Sequence, residues 1–213
     1  MEIRDMSHEI FSFSNADLNP DIREYQKRVF EKFQIPLTQV VWEKDDKYLK
    51  PNGWYNDHIH FLEKTLKTVN VDYFIFFDVD CIPLSASFLN ILLNDIAEND
   101  TVSGAFQASH FGEYVGAYFI GVSKKLYFEC GCPPITIDQT DPFQLFTTRC
   151  LELGKRVKYW MPTHSDGTWY VPSRDVYYGF GTTFDHMIYH QFQIRDARQH
   201  AAFINKCQEV LRS

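Results

Sequence analysis

Asp78 and Asp80 stand two apart in "VDYFIFFDVDCIP" (71–83), directly after five consecutive apolar or aromatic side chains, Tyr73 to Phe77. Two neighbouring carboxylates repel, and each raises the other's pKa unless a cation lies between them. Oxygen ligands of this kind suit a hard or borderline divalent ion, Mn²⁺ or Mg²⁺. The triplet alone says little, because seventeen aspartates in 213 residues give Asp-x-Asp about once by chance. Its context carries the information. A strand continued through Asp80 points both carboxylates to one side, just beyond the carboxyl edge of a sheet, where open α/β sheets bind ligands. The plainer alternative is a pair that caps the next helix or faces water.

Elements that would position such a pair are legible on both sides of it. An apolar run without alternation marks a strand covered on both faces, as in a parallel sheet. Strands are expected at 8–15, 37–42 and 71–79. The helices between them are expected at 19–33, with Asn19 as cap, Pro20 in the first turn and Ile22, Tyr25, Val29 and Phe33 at helical spacing, and at 55–69. Further on, the pattern gives a helix over 85–97, strands over 101–108 and 116–123, and a helix in "DPFQLFTTRCLELG" with Asp141 as N-cap, Pro142 at its first position and Gly154 as its stop. A strand at 155–162, an aromatic loop at 163–183, a short strand within 184–190 and a helix over 196–211, with Ala197, Ala201, Ile204 and Val210 apolar, complete the chain. Strand alternating with helix predicts an α/β fold, a single domain over residues 1–213 with a central, mostly parallel sheet flanked by helices.

The net charge of -7 and a pI near 5.6 argue against a nucleic-acid or anionic-membrane surface, which needs clustered Lys and Arg. The apolar runs are too short for a membrane span, and "MEIRDMSHEI" lacks the pattern of a secretory signal. Five cysteines without a CxxC pair give neither a zinc ribbon nor a disulfide framework, so a cytoplasmic, reducing setting is expected. No Gly-rich phosphate loop is present, which favours metal-based over backbone-based binding of a diphosphate. His58 and His60, beside Asp57, sit two apart on a helix and do not share a face, so they read as structural.

"YFIFFDVDCIP" resembles the strand end that carries the Asp-x-Asp motif in GT-A-fold nucleotide-sugar glycosyltransferases. "GAYFIGVSKKLYFECG" (116–131) is similar to that family's glycine-containing strand beside the donor sugar. "IDQTDPFQLFTTRCLELGKRVKYW" (137–160) is similar to its acidic motif with the helix and strand that follow, Arg149 and Gly154 keeping the interval. The likeness covers most of residues 8–192 as architecture and spacing, not as long identical stretches.

The resemblance implies a hexosyltransferase that uses a nucleoside diphosphate sugar, a UDP-sugar such as UDP-glucose, and a hydroxyl acceptor. It implies that Asp80 ligates the metal and that Asp78 ligates it or contacts the ribose or a water. A C-terminal histidine is the third ligand, His190 first and His186 or His164 in reserve. Phe13, Ser14 and Asn15 lie where the nucleotide would sit. Asp138 and Asp141 form a second acidic pair: Asp141 either acts as base in an inverting transfer or, with its neighbours, contacts the donor sugar as in retaining members, the course preferred here. Thr140 and Pro142 depart from the retaining pattern. The aromatic loop with Trp169, Tyr170, Tyr177, Tyr178 and Phe180 either faces an acceptor sugar or covers the core. Rival readings are a nucleotide-sugar nucleotidyltransferase, for which "FSFSNADLNP" lacks the Gly-rich loop, an aspartyl-phosphate phosphatase, and a non-catalytic carbohydrate- or nucleotide-sugar-binding module.

Overall fold

The computed structural model describes residues 7–43, 57–98, 100–110, 112–135 and 140–213, with only the backbone described at 57–59. Asp138, Gln139, most of the polar loop 43–53 and the start of the helix expected from residue 55 lie outside the described residues. The first half alternates as its sequence predicts: β1 (His8–Asn15), α1 (Pro20–Lys32), β2 (Thr38–Trp42), α2 (Asp57–Thr68) and β3 (Tyr73–Asp78). Asn19 accepts the amide of Asp21 at the start of α1, with Pro20 in the first turn. There follow β4 (Cys81–Pro83), α3 (Ser87–Ile96), β5 (Thr101–Ser109), β6 (Gly112–Ser123), α4 (Lys124–Glu129), α5 (Gln144–Glu152) and β7 (Arg156–Trp160).

These build a six-stranded sheet in the order β2-β1-β3-β6-β5-β7. β1 runs parallel to both β2 and β3, and β5 parallel to β7, while β6 alone is reversed against β3 and β5. The run Tyr73 to Phe77 is apolar throughout because successive side chains enter different layers. Phe74 and Phe76 join Phe11, Phe13, Leu62, Leu66 and Phe146 on one face. Tyr73, Ile75 and Phe77 join Phe30 of α1 and Phe88, Leu92 and Ile96 of α3 on the other.

A second, four-stranded sheet, β4-β12-β11-β8, joins the end of the Asp78–Pro83 segment to the short strand expected within 184–190 (β12) and to residues at the two ends of the expected loop (β8, β11). In it β11 (Thr182–Phe184) pairs antiparallel with both β8 (Pro162–His164) and β12 (Ile188–His190), and β9 (Trp169–Val171) pairs with β10 (Val176–Tyr178) as a separate hairpin. The expected loop thus contains short strands, each too brief for a periodicity to show. β12 pairs with β4 so that His190 lies opposite Cys81. This places a distant histidine beside the end of β3.

The last helix, α6 (Ala197–Arg212), is capped by Asp196 and packs through Phe203, Cys207 and Val210 on α1 and on the back of the small sheet. Ala197 and Ala201, expected on its apolar face, are exposed. The larger Phe203 and Cys207 side chains bury more surface and set the helix rotation. At the other end of α5, Gly154 at φ +67° ends the helix as expected, with the Lys155 amide donating to the Cys150 carbonyl.

Candidate active site

β3 stops at Asp78, and Val79 and Asp80 form a turn before β4, so the expectation of a strand running through Asp80 is corrected. The turn achieves the convergence by another route. Gln26, fully buried on α1, donates through Nε2 to the carbonyls of Asp78 (2.8 Å) and Cys81 (3.0 Å), clamping both ends of the turn. Gln39 of β2 holds the Gln26 side-chain oxygen in turn (3.1 Å), and the Gln191 amide donates to the Asp80 carbonyl.

Ligand atoms of Asp78, Asp80 and His190 lie within 4.8 Å of one another, and among the described residues no other group of three His, Cys, Asp or Glu side chains does so. Asp80 is 6% exposed and His190 2%. His190 Nε2 is 3.2 Å from Asp80 Oδ1, yet their geometry is not that of a hydrogen bond, and both Asp80 Oδ1 and His190 Nδ1 are buried without a hydrogen-bond partner. Leaving a buried polar atom unpaired costs about 1–3 kcal/mol, and more when it is charged. Burial first, then the charge of Asp80, push the Asp78 carboxyl up to about 7, while His190 and the Val79 amide pull it down. The donor set of two carboxylates and one imidazole, crowded together with one carboxylate oxygen and one ring nitrogen unpaired, fits a divalent cation of the Mn²⁺ or Mg²⁺ kind.

Aromatic packing fixes the imidazole. The Tyr118 ring stacks on His190 at 4.3 Å and 8°, and Phe192 meets it edge-on at 4.2 Å. Tyr118 itself is anchored by its hydroxyl, which donates to the Phe106 carbonyl at 2.6 Å. It reaches His190 where the β5–β6 register slips between Gly104 and Phe106, leaving residues 116–118 of β6 as a bulge without a partner on either neighbouring strand. Gly104 sits under this bulge, where a β-carbon would lie 2.3 Å from the Phe119 carbonyl oxygen.

Of the other expected residues, Phe13 is paired with Asp78 across the β1–β3 register but packs in the core between Trp42 and Phe76. Ser14 and Asn15 follow at the carboxyl end of β1, on the same rim of the sheet. Asn15 Oδ1 accepts from Arg195 Nη2 at 2.9 Å, and its carbonyl accepts from Arg23. Asp141 is not the helix cap that the sequence suggests, nor does Pro142 occupy the first helical position. α5 starts at Gln144, behind Phe143 in the left-handed region at φ +65°, which sends the Phe143 ring into the core. The Asp141 carboxylate instead accepts the Tyr114 hydroxyl. His186, at φ +60° in a turn, and His164, exposed near Asp166, stand outside the three-residue cluster.

The sequence reading missed Gln26, Tyr118, Tyr114 and Arg195. Gln26 carries the one available signal, a polar side chain on the apolar stripe of α1.

No protein-family model and no curated protein sequence matches the chain. Solved structures do. The galactosyltransferase LgtC in complex with donor and acceptor sugar analogs is similar at 11% identity and TM-score 0.56 over 95% of each chain. An active-site mutant of LgtC gives 12% identity and TM-score 0.58 over 95% of this chain and 94% of that one. A mutant Drosophila beta-1,4-galactosyltransferase 7, in complex with manganese, UDP-Gal and xylobiose, gives 13% identity and TM-score 0.54 over 92% and 73%. At these identities the likeness is one of fold, and the fold is clear: the chain has the GT-A fold of nucleotide-sugar glycosyltransferases, with an Asp-x-Asp cluster at the rim of its central sheet.

Proposed function

We propose that the chain is a metal-dependent glycosyltransferase, a single GT-A-like domain over residues 1–213. It moves a hexose from a nucleoside diphosphate sugar, a UDP-sugar such as UDP-glucose, to a hydroxyl acceptor with retention at the anomeric carbon. One observation carries the reading: the convergence of Asp78, Asp80 and His190 at the carboxyl edge of a GT-A sheet, with Asp80 Oδ1 and His190 Nδ1 buried and without a hydrogen-bond partner. These three hold the divalent ion, Mn²⁺ before Mg²⁺, which when bound offsets charge on the departing diphosphate.

The protein's own groups do the rest. Ser14 and Asn15 meet the base and ribose, over the packed Phe13 ring. Tyr114 holds Asp141 in place to bind hydroxyls of the donor sugar, with Asp138 as the second acid of that motif. The bond from the anomeric carbon to the diphosphate oxygen breaks with its electron pair going to the diphosphate. The acceptor oxygen bonds to that carbon, and its proton passes to the departing phosphate oxygen. Tyr118, Phe192 and the bulge of β6 exclude water from the reacting centre. Five free thiols, four of them buried, support a reducing, cytoplasmic setting.

The test is release of UDP from UDP-glucose and UDP-galactose with Mn²⁺, with and without EDTA. Chelator-sensitive release supports the reading. Conversion of the donor with pyrophosphate to UTP points instead to a nucleotidyltransferase, phosphate release from monoesters to a phosphatase, and sugar binding without donor consumption to a binding module.

A further inference from the structure

Among the described residues, three of the exposed large hydrophobic side chains, Trp169, Tyr170 and Tyr177, fall on the single hairpin β9–β10, and they are the aromatic ones apart from Phe128. They do not share a face. Tyr170 and Tyr177 are directly paired across the hairpin and pack on each other at 4.8 Å. Strand alternation turns them away from Trp169, which pairs with Tyr178 on the side facing the body of the protein.

Trp169 is held there by a built support. Its ring lies 5.5 Å from that of Tyr178 and 5.3 Å from that of Phe192, edge-on to the latter. Gly179, at φ +137°, passes so close that a β-carbon would lie 3.0 Å from the indole Cε3. Even so, 41% of the residue remains open to solvent. Phe192 in turn touches the His190 ring at 4.2 Å, so the indole is two ring contacts from the Asp78–Asp80–His190 cluster. A large aromatic ring braced by Tyr178, Phe180 and Phe192 yet still 41% open to solvent, two ring contacts from a buried polar centre, is a suitable support for a flat ligand.

We infer that Trp169 is the stacking floor of an acceptor subsite, and that the acceptor is a pyranose-bearing carbohydrate. This rests on the glycosyltransferase reading above. The chemistry favours a sugar over a lipid tail, because the exposed large side chains on this hairpin are an indole and two phenol rings with polar edges. The C–H face of a pyranose lies flat on such a ring while its hydroxyls stay hydrated or reach polar neighbours.

Two measurements on the full chain test this. With UDP-glucose or UDP-galactose and Mn²⁺, lactose, maltotriose and cellotriose serve as acceptor probes. Trp169→Ala is expected to raise the KM for the saccharide that stimulates UDP release by about tenfold, with acceptor-free UDP release unchanged and Trp169→Phe recovering most of the loss. Separately, saccharide titrations of intrinsic fluorescence, without donor, are expected to show a saturable change in the native protein that Trp169→Phe removes. A wild-type KM in Trp169→Ala, or no saccharide-dependent change attributable to Trp169, overturns the subsite. If the native protein consumes no donor, the transferase reading falls while the fluorescence titration still decides the role of Trp169.

Discussion

The fold buries Asp78 against a second carboxylate, and its carboxyl is pushed up to about 7 from an ordinary 3.8, by desolvation first and Asp80 second. The sign of the consequence follows from linkage. Between those two values the folded protein binds more protons at this site than the unfolded chain, so stability contributed here falls as pH rises from about 4 to 7. In EDTA, urea denaturation from pH 4.5 to 7.5 is therefore expected to show a downward slope with pH that Asp78→Asn flattens. Manganese is expected to reverse the loss at pH 7.5 in the native protein only. At this scale the acidic pair was readable from sequence, because charge placed after an unbroken apolar strand has few structural uses. The sequence ranks His190 ahead of His186 and His164 because it ends an expected strand and precedes a helix, but its approach to Asp80 was not readable, since it depends on the long-range pairing of β12 with β4.

At the scale of elements, the site depends on a turn held from outside. Gln26 satisfies two carbonyls at the ends of the Asp78–Cys81 turn from the middle of α1. Gln26→Leu keeps the volume and removes both donors. It is expected to cost about 1–3 kcal/mol in urea denaturation and to weaken Mn²⁺ affinity by about 10- to 100-fold, as loss of a group that orients metal ligands does. Unchanged metal affinity would show that the turn holds itself. The βα units around this turn were legible because their periodicities are long and their caps conventional, as at Asn19 and Gly154. The start of α5 was not. "DPF" carries the signals of a cap and first turn, but burial of the Phe143 ring outweighs them and forces a left-handed residue where a cap was expected. The small sheet was missed for a related reason: three-residue strands have no period to detect, and their pairing is set by long-range contacts.

For the whole molecule, the central sheet and the small sheet meet at the cluster, so occupancy of that corner couples to global stability. A ligand present at 100 times its Kd adds about 2.7 kcal/mol, which in a chain of this size raises Tm by about 5–10 °C. Thermal melts with Mn²⁺ and UDP together are expected to show such a rise, and EDTA to abolish it.

The most direct test is calorimetric titration of UDP into the native protein and Asp80→Asn, with Mn²⁺ and with EDTA, each variant first checked for a native circular dichroism spectrum. The account predicts UDP binding that needs Mn²⁺ and weakens at least about 100-fold in Asp80→Asn, as expected when a direct metal ligand is lost. UDP binding that ignores EDTA, or a folded Asp80→Asn that binds Mn²⁺ and UDP as the native protein does, would contradict it.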